Sequence, residues 1–172
     1  PPEAKTLLFV GSGFERKGID VASFFDDDYP ERLRRIDDPP PILYMKGNKK
    51  ALEFEYVAMV GTTRASQAGM RLAVDLAKLF VQRGLGIVSG LAIGIDSAAH
   101  LGALKENGKT IAVLGCGHFN IYPKENLSLA EQIATDGLVI SEQNPFRRVP
   151  SPSLILWNRL ISALSKVVVV VQ

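Results

Sequence analysis

Ser89, Gly90, Gly94, Asp96 and His100 fall within one stretch, SGLAIGIDSAAH, and their types suit two kinds of chemistry. The two glycines, with Leu91 and Ala92 between them, let main-chain N–H groups come close to a ligand, and the Ser89 hydroxyl can donate to a phosphate oxygen. Asp96 and His100 are four residues apart, which on a helix is one face. That pair suits a base with its orienting carboxylate, or a buried hydrogen bond that holds the loop, the more ordinary use of such a pair.

Three further stretches carry the same residue types. GTTRAS supplies Gly61, Thr62, Arg64 and Ser66; GCGHFNIYPKEN supplies Gly115, Gly117, Phe119, Tyr122, Lys124 and Asn126; SEQNPFRR supplies Ser141, Glu142, Arg147 and Arg148. Glycines and hydroxyls beside arginine and lysine are the materials of a phosphate site. Phe119, Tyr122 and Phe146 add faces on which an unpaired base could stack. Tyr122, which precedes Pro123, equally fits a residue that packs its loop on the sheet, so Phe119 is the better stacking candidate. Cys116, set between two glycines, reads as a small buried residue rather than a nucleophile, and no catalytic residue is assigned. The spacing of Cys116, His118 and His100 matches no usual zinc pattern, so neither a metal nor a cofactor is expected.

Such loops need a frame to gather them. YVAMVG, LGIVSG, TIAVLG, LVISE and KVVVVV are apolar runs rich in Val and Ile without polar alternation, the mark of strands buried on both faces. Between them lie helical patterns: Leu72, Leu76, Leu79 and Phe80 at helical spacing up to Gly84, then helices over about 95–107, 124–135 and within LILWNRLISALS. This alternation predicts an α/β fold, a Rossmann-like, mainly parallel sheet with helices on both faces, over residues 49–172. Residues 1–48, with Pro39, Pro40 and Pro41 in a row and a strand-like ILYMKG, read as an N-terminal extension or collar. In a parallel sheet the loops that leave the carboxyl ends of the strands line one edge, where helices begin with free N–H groups, and the four loops above belong there.

Composition narrows the classes. In 172 residues, 47% hydrophobic, one globular domain is the default. Twenty Lys and Arg against 18 Asp and Glu leave a net charge of +2, so attraction to a polyanion has to come from clustering. One cysteine excludes an internal disulfide framework and suits a reducing cytoplasm. The longest apolar run, Val167 to Val171, is far short of a membrane helix, and no membrane association is expected.

SGLAIGIDSAAH, followed by GKTIAVLGCGHFNIYPKEN, GLVISE and NRLISALS, resembles in order and spacing the DNA-processing protein A family, also called DprA or Smf. The resemblance runs from about Asp20 to the end and includes DDDYPERLRRIDDPPPILYMKGN. It implies a cytoplasmic, non-enzymatic protein of natural transformation that binds and protects incoming single-stranded DNA, helps load the RecA recombinase on it and works as a homodimer. It also implies roles for Asn158 and Arg159, which match the family's R-N-R pattern. Four positions depart: Thr63 stands where the family has the first arginine of V-G-T-R-R-A-S, Trp157 where it has the leading arginine of R-N-R, and His118 and Phe119 where Leu-Asp is usual. Two other readings use the same edge, a nucleotide-sensing module and a nucleoside-monophosphate N-glycosidase of the lysine-decarboxylase-like (LOG) type. The latter carries P-G-G-x-G-T-x-x-E; here Glu142 stands alone, without that glycine cradle.

Overall fold

A computed structural model describes residues 13–148 and 156–172. Seven strands form one sheet: β1 (Asp20–Ser23), β2 (Ile42–Gly47), β3 (Tyr56–Val60), β4 (Gly86–Ser89), β5 (Thr110–Leu114), β6 (Leu138–Ser141) and β7 (Val167–Val170), in the order β1-β2-β6-β5-β4-β3-β7. The five strands from β6 to β7 are mutually parallel, whereas β2 pairs antiparallel with β6 and β1 antiparallel with β2. The segment read as a collar therefore supplies two strands to the same sheet, with ILYMKG as β2.

The helices are α1 (Glu31–Arg34), α2 (Gln67–Gln82), α3 (Ile95–Lys105), α4 (Leu127–Asp136) and α5 (Asn158–Ala163). From β3 the chain steps in one direction across the sheet to β6, so right-handed crossovers put α2, α3 and α4 on one face. It then returns past β3 to β7, which puts α5 on the opposite face. Side chains alternate accordingly. Val57, Met59 and Ile87 pack under α2 and α3, and Ala112, Leu114 and Val139 under α4. Tyr56, Ala58, Val88, Ile111, Val113 and Ile140 meet Leu33 of α1 and Leu160 and Ile161 of α5.

One inward face differs from the sequence expectation. Leu72 and Leu79 are exposed, and the buried positions of α2 are Ala73 and Ala77. The cause is close helix packing: a Cβ at Gly102 of α3 would stand 2.6 Å from the Val74 carbonyl oxygen and 2.8 Å from the Ala77 Cβ. Small residues fill the seam and the leucines turn to its flank. Helix ends also shift. Asn107, with φ of 53°, lies beyond the end of α3, a 3₁₀ turn over Lys124–Asn126 precedes α4, and of LILWNRLISALS only Asn158–Ala163 is helix, its first two residues lying outside those described.

Candidate nucleic-acid interface

The loops after β3, β4, β5 and β6 leave the same edge of the sheet, because those strands are parallel. A cleft of about 590 Å³ opens there, lined by Thr63, Gly90, Ala92, Ile93, Asp96, Gly115, Cys116, Tyr122, Pro123, Trp157 and Asn158. Six of these are among the candidate contact residues of the sequence: Gly90, Ala92, Asp96, Gly115, Tyr122 and Asn158.

The loop after β4 is held from inside. Asp96 Oδ2 accepts the Gly90 N–H at 3.2 Å and the Ala92 N–H at 3.3 Å, so a side-chain carboxylate takes main-chain donors that an anion would use. Burial pushes the Asp96 carboxyl up to about 6, and these N–H groups offset part of that rise. Leu91 carries the left-handed conformation, with φ of 63°, and its carbonyl accepts Asn126 Nδ2 at 2.8 Å. Ser97 Oγ donates to the Ala92 carbonyl at 2.5 Å. Gly94, with φ of 90°, is a required glycine, since a Cβ would stand 2.5 Å from the Thr62 carbonyl oxygen. At Gly90 a Cβ would meet Asp96 Oδ2 at 2.9 Å, so a side chain there would press on the carboxylate that holds the loop.

Several candidates are structural in this arrangement. Ser89 is fully buried and donates to the Met59 carbonyl, and buried Ser141 donates to the Cys116 carbonyl at 2.7 Å. Leu91 and Asn126 are buried too. Asp96 and His100 do not bond to each other: Asp96 holds the loop through the Gly90 and Ala92 N–H groups, and His100 takes another partner. His100 is fully buried, with Nδ1 2.7 Å from Thr110 Oγ1. Thr110 spends its hydroxyl hydrogen on the Ile87 carbonyl, so His100 Nδ1 is the donor, and Nε2 has no partner. Burial lowers its pKa to about 3, which keeps the ring neutral and enclosed, unable to touch a strand. Gly117 is buried where two loops meet: its N–H donates to the Arg147 carbonyl and a Cβ would strike the Asn144 carbonyl oxygen. Cys116 is a buried free thiol whose pKa burial raises.

Thr62 and Ser66 are engaged by the final residue. The Thr62 N–H donates to the Gln172 carbonyl at 2.9 Å, and Ser66 N–H and Oγ each reach Gln172 Oε1 at 3.0 Å. Ser66 also caps α2 through the Gly69 N–H at 3.0 Å. A Cβ at Gly61 would stand 2.5 Å from the Val171 carbonyl oxygen. Arg159 grips Glu142 bidentately at 3.0 and 2.6 Å and adds the Asp38 carbonyl, which ties α5 to the loop after β6 and to the approach to β2. Arg64, Lys124, Arg147 and Arg148 remain exposed.

The aromatic candidates separate. Tyr122 is 64% exposed and lines the cleft. Phe119 is 37% exposed, packs on Phe146 with centroids 4.9 Å apart, and has Lys17 Nζ 4.7 Å from its ring centre. The sequence reading missed Trp157. Its indole lies on Gly115, where a Cβ would come within 2.2 Å of the ring. The signal was available in the residue that replaces an arginine beside a glycine-rich loop, but spacing alone does not bring residues 115 and 157 together.

A family model for DNA recombination-mediator protein A matches residues 20–172. The chain belongs to this family. The DNA processing protein DprA of Bacillus subtilis is 36% identical over 164 residues, covering 95% of this chain and 55% of that protein. The crystal structure of DprA from Streptococcus pneumoniae superposes with a TM-score of 0.83 at 41% identity, over 88% of this chain and 53% of that one. DNA processing protein A of Helicobacter pylori, whose structural study concerns its single-stranded DNA binding mode, superposes with a TM-score of 0.77 at 32% identity, over 87% of this chain and 68% of that one. The chain spans 38–55% of the length of its first curated relatives, among them Smf of Synechocystis. As a DprA-family domain it has the family's α/β sheet, and among the described residues no helix is long and apolar enough to cross a membrane.

Proposed function

We propose that this domain binds single-stranded DNA along the edge above β3 to β6, as the DNA-holding part of a recombination mediator in transformation, without turning its ligand over. The observation that carries this reading is the cleft, which the main chain at Gly90 and Gly115 lines together with the rings of Trp157 and Tyr122, on an edge that exposes Arg64, Lys124, Arg147 and Arg148. Backbone and cations hold phosphates without reading sequence, and rings accept any base. The single-stranded DNA binding mode described for the Helicobacter pylori relative supports it. Delivery of the strand to RecA, action as a homodimer and a cytoplasmic location are carried with family membership as parts of the same proposal. Glu142, the carboxylate that an N-glycosidase would need free, is bound by Arg159, which supports binding without turnover.

Fluorescence anisotropy with labelled oligothymidylate tests this. Affinity rises from mononucleotide to an oligomer that covers several phosphates and falls steeply with salt, and Arg64→Ala flattens the slope of log K against log salt by about one. Equal affinity for a mononucleotide and a long oligomer would instead identify a nucleotide-sensing module.

A further inference from the structure

Resting on that reading, we propose that the cleft is a subsite for one unpaired nucleobase, stacked on the Trp157 indole and closed on the other side by Tyr122, so that an aromatic face stands where the family pattern has an arginine.

The indole is held in place from below. Gly115 has no side chain, and the space where its Cβ would be lies 2.2, 2.3 and 2.5 Å from Cη2, Cζ3 and Cζ2 of Trp157. The ring thus lies flat on the main chain that follows β5. Its base packs on the core beneath α5 beside Leu160 and Ile161, while the residue stays half-exposed and lines the cleft. Its pyrrole edge is directed at the loop after β4, with Nε1 3.7 Å from the Cβ position of Gly90. Tyr122 lines the same cleft and is 64% exposed, and among the described residues neither ring pairs with another aromatic ring. The volume of about 590 Å³ lies within the range of sites for small flat ligands. An indole has no charge to offer a phosphate and the largest aromatic face of any side chain, so the substitution favours a planar heteroaromatic ring. Asn158, exposed at the rim, supplies an amide able to meet a base edge in either polarity. A base in a strand and a free nucleotide share this chemistry.

Trp157 is the single tryptophan of the chain, so its emission reports the subsite alone. Titration uses oligothymidylate, an abasic oligomer of equal length, and thymidine monophosphate, with anisotropy and tryptophan emission read together. Oligothymidylate is expected to quench emission over the concentrations at which anisotropy rises, and the abasic oligomer to bind more weakly without quenching. Trp157→Ala should weaken oligothymidylate binding roughly ten-fold and narrow the gap between the two oligomers, while Trp157→Phe keeps most of that gap. An anisotropy rise without a change in emission, or equal losses for both oligomers in Trp157→Ala, overturns the base subsite and leaves the strand reading standing. Quenching by the monophosphate at the same affinity as the oligomer supports the subsite and overturns the strand reading. Absence of binding by all three probes overturns both.

Discussion

Two groups of aromatic side chains stand on this protein in opposite surroundings. Phe14, Phe119 and Phe146 pack on one another with centroids 4.9 to 6.3 Å apart, and Lys17 lies over two of their rings. Trp157 and Tyr122 line a cleft instead, together with Gly90 and Gly115, and the indole lies on Gly115. The difference teaches that an aromatic residue in a glycine-rich loop becomes a platform only where the chain beneath it is stripped of side chains. Elsewhere its neighbours use up its faces.

The cleft is also built around a buried carboxylate, and that gives the largest expected effect. Burial raises the pKa of Asp96 from 3.8 to about 6, so between those values the folded state holds a proton that the unfolded state has released. Stability contributed at this site therefore falls as pH rises through that window, by about 3 kcal/mol in all. His100 and His118, kept neutral by burial at about 3 and about 4, act in the opposite direction below pH 6.5. They cancel in a comparison of parent with Asp96→Asn. Urea denaturation at pH 4 and 7.5 should find the variant gaining on the parent by about 2 kcal/mol at the higher pH, since at pH 4 the unfolded carboxyl is already partly ionised; an unchanged difference would show that the carboxylate is not buried as described. The same change tests the cleft, because a phosphate beside an ionised Asp96 is disfavoured: oligothymidylate affinity should rise as pH falls toward 5.5 in the parent and stay flatter in the variant.

Next in size is Gly115→Ala. The new methyl group displaces the far end of the indole and no main chain, so the fold survives at a cost of about 1–3 kcal/mol while the platform is lost. Oligothymidylate affinity should drop roughly ten-fold, as for loss of one stacked base. A folded Gly115→Ala protein that binds like the parent would break the contrast between the two aromatic groups. The smallest effect belongs to Phe119→Ala, expected to change affinity less than about three-fold because Phe146 and Lys17 already cover its ring. A ten-fold loss there would make the cluster part of the strand's path.

Much of the frame was legible in the sequence. The Val and Ile runs that form β3 to β6 are buried parallel strands, from which the four loops fall on one edge, but KVVVVV is not buried on both faces: β7 stands at the edge of the sheet with Val167, Val168 and Val170 exposed. The addition of β1 and β2 to the sheet was not legible, since ILYMKG declares a strand but not its partner: β2 pairs with β6, nearly a hundred residues later. Nor was the inward face of α2, where the requirement for close approach at Gly102 outweighs the hydrophobicity of Leu72 and Leu79. At the site, residue type pointed to the glycines of the loop after β4, but not to the positive φ of a non-glycine, Leu91, three residues before Gly94. Arg159 and Glu142 each look like a free charge in sequence; only the fold brings them within 2.6 Å.

The two faces of the sheet are closed by very different stretches of chain. On one, each helix from α2 to α4 directly joins the strands it covers. On the other, the cover comes from α1 and α5, which lie more than a hundred residues apart in sequence, and Arg159 joins Asp38 and Glu142 across that span. Closing so long a loop costs more chain entropy than forming a local crossover, and contacts of high sequence separation are slow to form. The units β3-α2-β4 through β6 can therefore assemble one after another as a growing half-sandwich, while the face that seats Trp157 is completed last. The cleft is expected to form late in folding and α5 to open first, which faster amide exchange in α5 than in α2 to α4 would check.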